Sequence, residues 1–305
     1  MKILIIGRAG QVAWELQREL ACLGDIIAVD RHSHPLSIDL LNNDSITQTI
    51  NAIAPQVIIN AAAYTAVDLA EQEIEQAQQI NGHALGVMAE AAKKCGALLI
   101  HYSTDYVFDG LAQTPYQENH PTAPQSVYGS SKLLGEQAIQ SVGGDYLILR
   151  TAWVYGGRGK NFMLTMLRLM QEREQLNIVA DQYGAPTWSR QIAAATSLIL
   201  AQTLAQQSGK LPVASGVYHL ACAGVTSWHG FATQIQQHAL AAGILTRESV
   251  LNAIPTSAYP APAQRPAYSV LSGTKLAEHF KIQLPAWETA LTLCFSDYAT
   301  GFNKP

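Results

Sequence analysis

The segment Tyr128-Gly129-Ser130-Ser131-Lys132 carries the clearest chemistry in the chain. On a helix, the i,i+4 spacing sets the Tyr128 phenol and the Lys132 ammonium on one face. A free tyrosine titrates near about 10 and is a poor acid–base catalyst at neutral pH. An adjacent cation stabilises the phenolate and brings the group toward working pH. Upstream, Ser103-Thr104-Asp105 closes an apolar run expected to be a strand over 98–102, so a hydroxyl can point at the same place. Thr104 would then hydrogen-bond a substrate carbonyl while Tyr128 donates a proton to it. A Tyr-x-x-x-Lys pair alone is more often an ordinary pair on a solvated helix face. Its weight here comes from the hydroxyl-bearing strand end and from a glycine turn at the start of the chain.

That turn reads Gly7-Arg8-Ala9-Gly10-Gln11-Val12-Ala13, between a strand at 2–6 and an amphipathic helix expected over 14–23. Glycines in a tight strand-to-helix turn let backbone amides approach a pyrophosphate, and the helix N-terminus adds positive potential. The amides of Gly10, Gln11 and Val12 are the expected phosphate donors. The motif alone equally describes a plain glycine turn; its place in a strand–turn–helix unit favours a dinucleotide. Asp30 ends the second strand at the distance where an acidic residue receives a ribose 2′-hydroxyl, which suits NAD(H). Arg31 follows and could pair with a 2′-phosphate, so NADP(H) stays open; a solvated or capping carboxylate is the structural alternative for Asp30. Asp39 and Leu40 lie in the next loop, where a carboxylate and an apolar side chain could hold the adenine amine and ring face. Asn60-Ala61-Ala62-Ala63-Tyr64-Thr65 is small enough for a flat ligand to lie against its backbone, as it is for a close-packed helix.

Short apolar, β-branched runs at 2–6, 26–29, 57–60, 98–101 and 146–149 alternate with longer helix-like segments. Strands without polar alternation are expected when helices cover both faces of a parallel sheet. The N-terminal half therefore reads as a Rossmann-type doubly wound α/β fold, with the loops after each strand at one edge. Beyond about residue 155, helices expected at 162–174, 190–205 and 228–243 mix with short strands and a Pro-rich surface loop around Pro255–Pro266. This predicts a dinucleotide-binding domain over 1–155 and a smaller, mainly substrate-binding α/β domain over 156–305, with a return to the sheet near 217–220. Only 14% of residues are charged and the net charge is −4, which gives no broad attraction for nucleic acid. No apolar run is long enough for a membrane span. The opening MKILIIGRAG has no secretory cleavage pattern, so a cytoplasmic location is expected. Cys22, Cys95, Cys222 and Cys294 show no metal spacing and read as reduced core thiols.

The set GRAGQVAWELQ, NAAAYTAVD, HYSTDYVFDG, VYGSSKLLGE, RTAWVYG, GKNF, DQYGAPT and RP resembles the dTDP-4-dehydrorhamnose reductases, within the extended short-chain dehydrogenase/reductases, along nearly the whole chain. The resemblance implies reduction of the C4 ketone of dTDP-4-dehydro-β-L-rhamnose by NADPH or NADH, the last step toward a bacterial surface sugar. It implies Tyr128 as proton donor, Lys132 as the group that lowers its pKa and holds the nicotinamide ribose, and Thr104 in a position that is often serine. It carries cofactor contacts onto Gln11, Val12, Asp30, Asp39, Leu40, Ala63, Tyr64 and Thr65, and sugar-nucleotide contacts onto Thr104, Asp105 and Trp153. Tyr106 and Arg265 are further candidates, the latter for the diphosphate. Trp153 could also be an ordinary core tryptophan. Some relatives dimerise through a metal held by acidic side chains; here Glu15 is present, but Trp188-Ser189-Arg190 stands where acidic residues would be wanted. No metal is expected, and a metal-free homodimer is left open. Another nucleotide-linked 4-ketosugar is the alternative substrate, and a non-catalytic NADP-binding regulatory subunit the alternative role.

Overall fold

Five strands in chain order, β1 (Lys2–Ile6), β2 (Asp25–Val29), β3 (Val57–Asn60), β4 (Leu98–Thr104) and β5 (Tyr146–Thr151), join a later strand, Gly216–His219, in one sheet. The computed structural model describes residues 1–205 and 215–301 of the chain. The spatial order is Gly216–His219, β5, β4, β3, β1, β2, with every pair parallel. Alternate side chains enter two different cores. Ile3, Ile5, Val57, Ile59, Leu98, Ile100, Leu147 and Leu149 pack on one face, while Leu4, Ile6, Ile58, Leu99 and Ile148 pack on the other. With both faces apolar, the strands show no polar alternation in the sequence.

The chain leaves β1 for β2 on one side and returns to β3 on the other, so the strand order reverses at β1. A crevice opens outside the carboxyl ends of β1 and β3. The Gly7–Gly10 turn and the Asn60–Thr65 loop lie at this crevice. Farther along, Gln175–Val179 pairs in parallel with Val250–Ile254, and Tyr183–Gly184 pairs antiparallel with Thr226–Ser227. The helices Phe162–Glu172 and Trp228–Ala241 pack beside these short strands. The first core face is shared by both halves of the chain: Leu16 and Leu149 belong to the same cluster as Met163, Phe231 and Leu291.

Several elements differ from expectation. The first helix is Gln11–Glu19 rather than 14–23, because the Gly10 carbonyl already accepts the Trp14 N–H at 2.9 Å. It ends early because the chain turns at Leu20–Gly24, where Gly24 lies so close to the Met1 carbonyl that a Cβ would clash. β4 and β5 run on to Thr104 and Thr151, carrying polar residues that the apolar pattern did not include. Cys22 is exposed rather than in the core, and Cys95 is half-buried, while Cys222 and Cys294 are buried. Among the described residues, no helix is long and apolar enough to cross a membrane.

Candidate active site

The helix Val127–Val142 begins where the Ser126 hydroxyl accepts the Gly129 N–H at 3.2 Å, a side-chain N-cap. Its first turns present Tyr128, Lys132 and Glu136 along one stripe. Glycines press this helix onto its neighbours: a Cβ at Gly129 would strike the Tyr106 carbonyl, and one at Gly135 the Asn81 carbonyl. Across the interface, the chain forms a π-helical turn at Gln79–His83. Asn81 in that turn accepts from the Tyr64 N–H at 2.8 Å, donates to the Tyr64 carbonyl at 3.0 Å and donates to Ser131 Oγ at 3.0 Å. One buried amide thus ties the Ala61–Thr65 loop to the helix that carries Tyr128.

Thr104 closes β4, and its Oγ1 donates to Asp105 Oδ1 at 3.0 Å and accepts from the Tyr106 N–H at 3.2 Å. Asp105 is 2% exposed, and its Oδ2 makes no hydrogen bond. Burial pushes this carboxyl up to about 6, against the opposing effect of the Ser269 hydroxyl and then of the Thr104 hydroxyl. The Tyr106 and Tyr128 rings meet edge to face at 5.5 Å. Burial pushes the Tyr128 phenol up to about 12; the Thr104 hydroxyl beside it works the other way, and the Asp105 charge adds to the rise. The expected lowering of Tyr128 by Lys132 is not what these side chains produce. The Lys132 Nζ turns onto β4 instead, 3.0 Å from His101 Nε2 and 2.6 Å from the Tyr102 carbonyl that it donates to. Burial lowers the amine to about 7, with Glu136 opposing. Tyr128 therefore stays a protonated acid through the neutral range.

At the crevice, Gly7 adopts φ +100°, a conformation that strains other residues, and a Cβ there would come within 3.3 Å of the Ala62 nitrogen. Gly10 supplies the N-cap of the first helix without a side-chain cap, so the helix's leading amides are left to face the crevice. Asp30 accepts the His32 N–H on Oδ1 at 2.8 Å, while Arg31 is exposed beside it. Arg8, which the sequence reading passed over, lines a groove of about 510 Å³ with Val29, Ser33 and His34 at the same end. Asp39 accepts the Leu41 N–H at 3.0 Å, and Leu40 is buried. Ala63 and Tyr64 are half-buried and Thr65 is exposed. The Tyr64 hydroxyl donates to Glu73 at 2.7 Å. Gln11 and Val12 are half-buried, and Gln11 Oε1 accepts from Asn161 at 2.9 Å, which joins the glycine turn to the later half of the chain.

Next to Tyr106 opens a cavity of about 1270 Å³, lined among others by Phe162, Gln182, Trp228, Tyr259 and Arg265. Arg265 donates to Asp68 at 2.7 Å, bringing the Pro-rich loop onto the segment after β3. Trp153 sits at φ +48° with its indole against Gly184 and stacked at 3.5 Å on Trp228. A left-handed tryptophan held between two surfaces is a constrained aromatic wall rather than a loosely packed core residue. Trp228 and Asp68 were not singled out from the sequence; an exposed-looking tryptophan after Thr226-Ser227 was the available signal. Apart from this cavity, Arg190 pairs with Glu15 at 3.2 Å and also with Asp297. A guanidinium thus neutralises the carboxylates there.

The chain matches over residues 1–300 a family model described as the RmlD substrate binding domain. It is 50% identical over 299 residues to a dTDP-4-dehydrorhamnose reductase of Burkholderia thailandensis, covering 97% of this chain and 99% of that one. It is 45% identical over 300 residues to the dTDP-4-dehydrorhamnose reductase of Escherichia coli K12, covering 98% and 99%. Among solved structures, it resembles the crystal structure of a dTDP-4-dehydrorhamnose reductase from Bacillus anthracis in complex with NADP, with a TM-score of 0.86, 35% identity, and 97% and 99% of the two chains covered. With a doubly wound sheet, a glycine turn at its switch point and Tyr128 beside Thr104, the chain belongs to the dTDP-4-dehydrorhamnose reductase family.

Proposed function

We propose that this chain reduces the C4 ketone of dTDP-4-dehydro-β-L-rhamnose to dTDP-β-L-rhamnose, with NADPH or NADH as the reductant, in dTDP-rhamnose biosynthesis. The observation that carries the reading is the meeting of Tyr128, Thr104 and Asp105 at the carboxyl edge of a doubly wound sheet, beside Tyr106, which lines a large cavity. A dinucleotide fits the crevice because Gly7 and Gly10 leave backbone, not side chain, facing it. In this reading Gly7, Gly10, Gln11 and Val12 hold the pyrophosphate, Asp30 and Arg31 the adenosine ribose, Asp39 and Leu40 the adenine, and Ala63, Tyr64 and Thr65 the nicotinamide side. Residues 1–155 serve mainly the dinucleotide, and 156–305 mainly the sugar nucleotide. When bound, the reduced nicotinamide supplies a hydride to the ketone carbon.

The protein's own residues do the rest. Tyr128, kept protonated by burial, donates its proton to the ketone oxygen as charge develops there. Thr104 orients that oxygen. Asp105 Oδ2, without a hydrogen-bond partner of its own, accepts a sugar hydroxyl. Lys132, which keeps a third hydrogen-bonding direction beyond His101 and Tyr102, reaches the nicotinamide ribose. Trp153, braced by Trp228, bounds the sugar nucleotide, and Arg265 meets the diphosphate from the loop beside Tyr106. Arg8 and Arg31 at the adenosine end favour a 2′-phosphate. A cytoplasmic setting and a metal-free homodimer complete the proposal, the latter because Arg190 already neutralises Glu15.

The test is to follow oxidation of NADPH and of NADH in parallel with dTDP-4-dehydro-β-L-rhamnose and to identify the sugar by NMR. Equimolar cofactor loss and product of the rhamnose configuration are expected. A product of the opposite C4 configuration would reassign the product and the face that receives the hydride, and binding of both ligands without turnover would overturn the reductase reading.

A further inference from the structure

We infer that Glu71 is a positioning residue for Tyr128, and that it closes a ring of hydrogen bonds through which the segment after β3 seats the proton donor against the loop 63–65. The inference rests on the proposed reductase reading, in which that loop lies on the nicotinamide side. Glu71 Oε1 accepts the N–H of Val127, 56 residues away along the chain, at 2.8 Å. Val127 is the first residue of the helix that carries Tyr128, and its N–H has no carbonyl within the helix to bond. The Ser126 hydroxyl already accepts from Gly129, so the Glu71 side chain is a second cap, supplied by a different element. A carboxylate is also favoured there by the helix dipole.

From Tyr128 the ring continues through buried groups. The Ser131 hydroxyl donates to the Tyr128 carbonyl at 2.8 Å and accepts from Asn81 Nδ2 at 3.0 Å. Asn81 bonds both the N–H and the carbonyl of Tyr64, and the Tyr64 hydroxyl donates to Glu73 at 2.7 Å. Glu73 lies two residues from Glu71, and the Leu69 carbonyl accepts the N–H of both Gln72 and Glu73 at 3.0 Å, which folds this stretch into a tight turn. Donors and acceptors match around the circuit. Asn81 Oδ1 takes the Tyr64 N–H, so the two amide hydrogens are left for the Tyr64 carbonyl and Ser131, and the single Ser131 hydrogen goes to Tyr128. Asn81 and Ser131 are buried, where an unmade hydrogen bond is costly, so neither turns away without loss. Helix ends fray, and Tyr128 sits in the first turn. Removing the Glu71 side chain leaves that turn closed on itself by Ser126 but cuts its tie to the segment after β3. Tyr128 then gains freedom relative to the loop 63–65. Hydride and proton must reach the two ends of one carbonyl, so an offset between their donors slows the chemistry more than it weakens binding.

The test compares Glu71→Gln, whose amide oxygen keeps an acceptor at the same reach, with Glu71→Ala, each in the full chain. Amide hydrogen exchange without ligands reads the tie itself. In Glu71→Ala the amides of Val127, Gly129 and Ser130 should exchange about tenfold faster or more, those of residues 136–142 should be unchanged, and Glu71→Gln should match wild type. With NADPH and dTDP-4-dehydro-β-L-rhamnose, kcat of Glu71→Ala should fall about tenfold or more while both KM values stay near wild type, and Glu71→Gln should recover most of the turnover. Unchanged exchange at the three amides, an unchanged kcat in Glu71→Ala, a loss confined to KM, or a Glu71→Gln protein as impaired as Glu71→Ala would overturn the inference. Should Glu71→Ala not fold, Glu71→Asp, which keeps the charge but is too short to reach Val127, takes its place with the same expected results. The exchange measurement uses no substrate, so failure of the reductase reading leaves it unchanged.

Discussion

Asp105 shows how a residue proposed to bind substrate costs stability. Burial raises its folded pKa to about 6, above the unfolded value near 4, so the fold disfavours its charge. The sign follows: the penalty is absent below the unfolded pKa, grows as pH rises through 6, and is constant above. Asp105→Asn should therefore be more stable than wild type by about 1–3 kcal/mol at pH 7.5, with the gain vanishing near pH 4, as read by denaturant titration, while its KM for the sugar nucleotide rises. Tyr128→Phe should fold normally and lose turnover by about a hundredfold or more, measured under saturating cofactor. The Tyr128–Lys132 pair was legible because its spacing is local, and Thr104 because it follows an apolar strand run. His101 and Asn60, which hydrogen-bond at 3.1 Å beside Lys132, were not, although a histidine inside the apolar run of β4 was visible. Their meeting depends on the register between two strands, which local spacing does not determine. The direction of the Lys132 side chain was hidden for the same reason.

The Val127–Val142 helix is the element on which the site depends, and its glycines set how closely it sits. Gly135 has the Asn81 carbonyl where a Cβ would go, and a Cβ on Gly82 of the opposing turn would come within 2.5 Å of Leu134. Gly135→Ala must push the helix off the Gln79–His83 turn and loosen the Asn81 bonds to Tyr64 and Ser131. A loss of about 1–3 kcal/mol is expected, with a fall in kcat larger than any change in cofactor binding; thermal unfolding and steady-state kinetics check the two parts. The parallel strands and most helices were readable from alternating apolar runs and helical periodicity. The π-helical turn was not, because it is imposed by packing against this helix rather than by the residues 79–83 themselves. The start of the first helix was misplaced because the Gly10 cap acts through its backbone carbonyl, which leaves no side-chain signal.

At the scale of the molecule, the two halves share one apolar core, and polar and aromatic ties join them beside the crevice and the large cavity: Gln11 with Asn161, Asp68 with Arg265, and Trp153 stacked on Trp228. The glycine turn and the loops around the large cavity are therefore positioned together. Trp228→Ala removes the support behind Trp153 and should raise KM for the sugar nucleotide about tenfold, equivalent to about 1.4 kcal/mol, while leaving cofactor affinity unchanged; a separate fluorescence titration with NADPH distinguishes the two. The doubly wound class was legible because it repeats along the chain, whereas the partners Trp228, Asp68 and Arg8 come from distant segments whose meeting only the folded chain reveals. The central claim is direct hydride transfer to a sugar ketone. Its most direct measurement is the reaction with NADPH deuterated at the transferring C4 position, followed by NMR of the product. The account predicts deuterium retained at sugar C4 in the rhamnose configuration; product formed with hydrogen there from solvent, or no product at all, would contradict it.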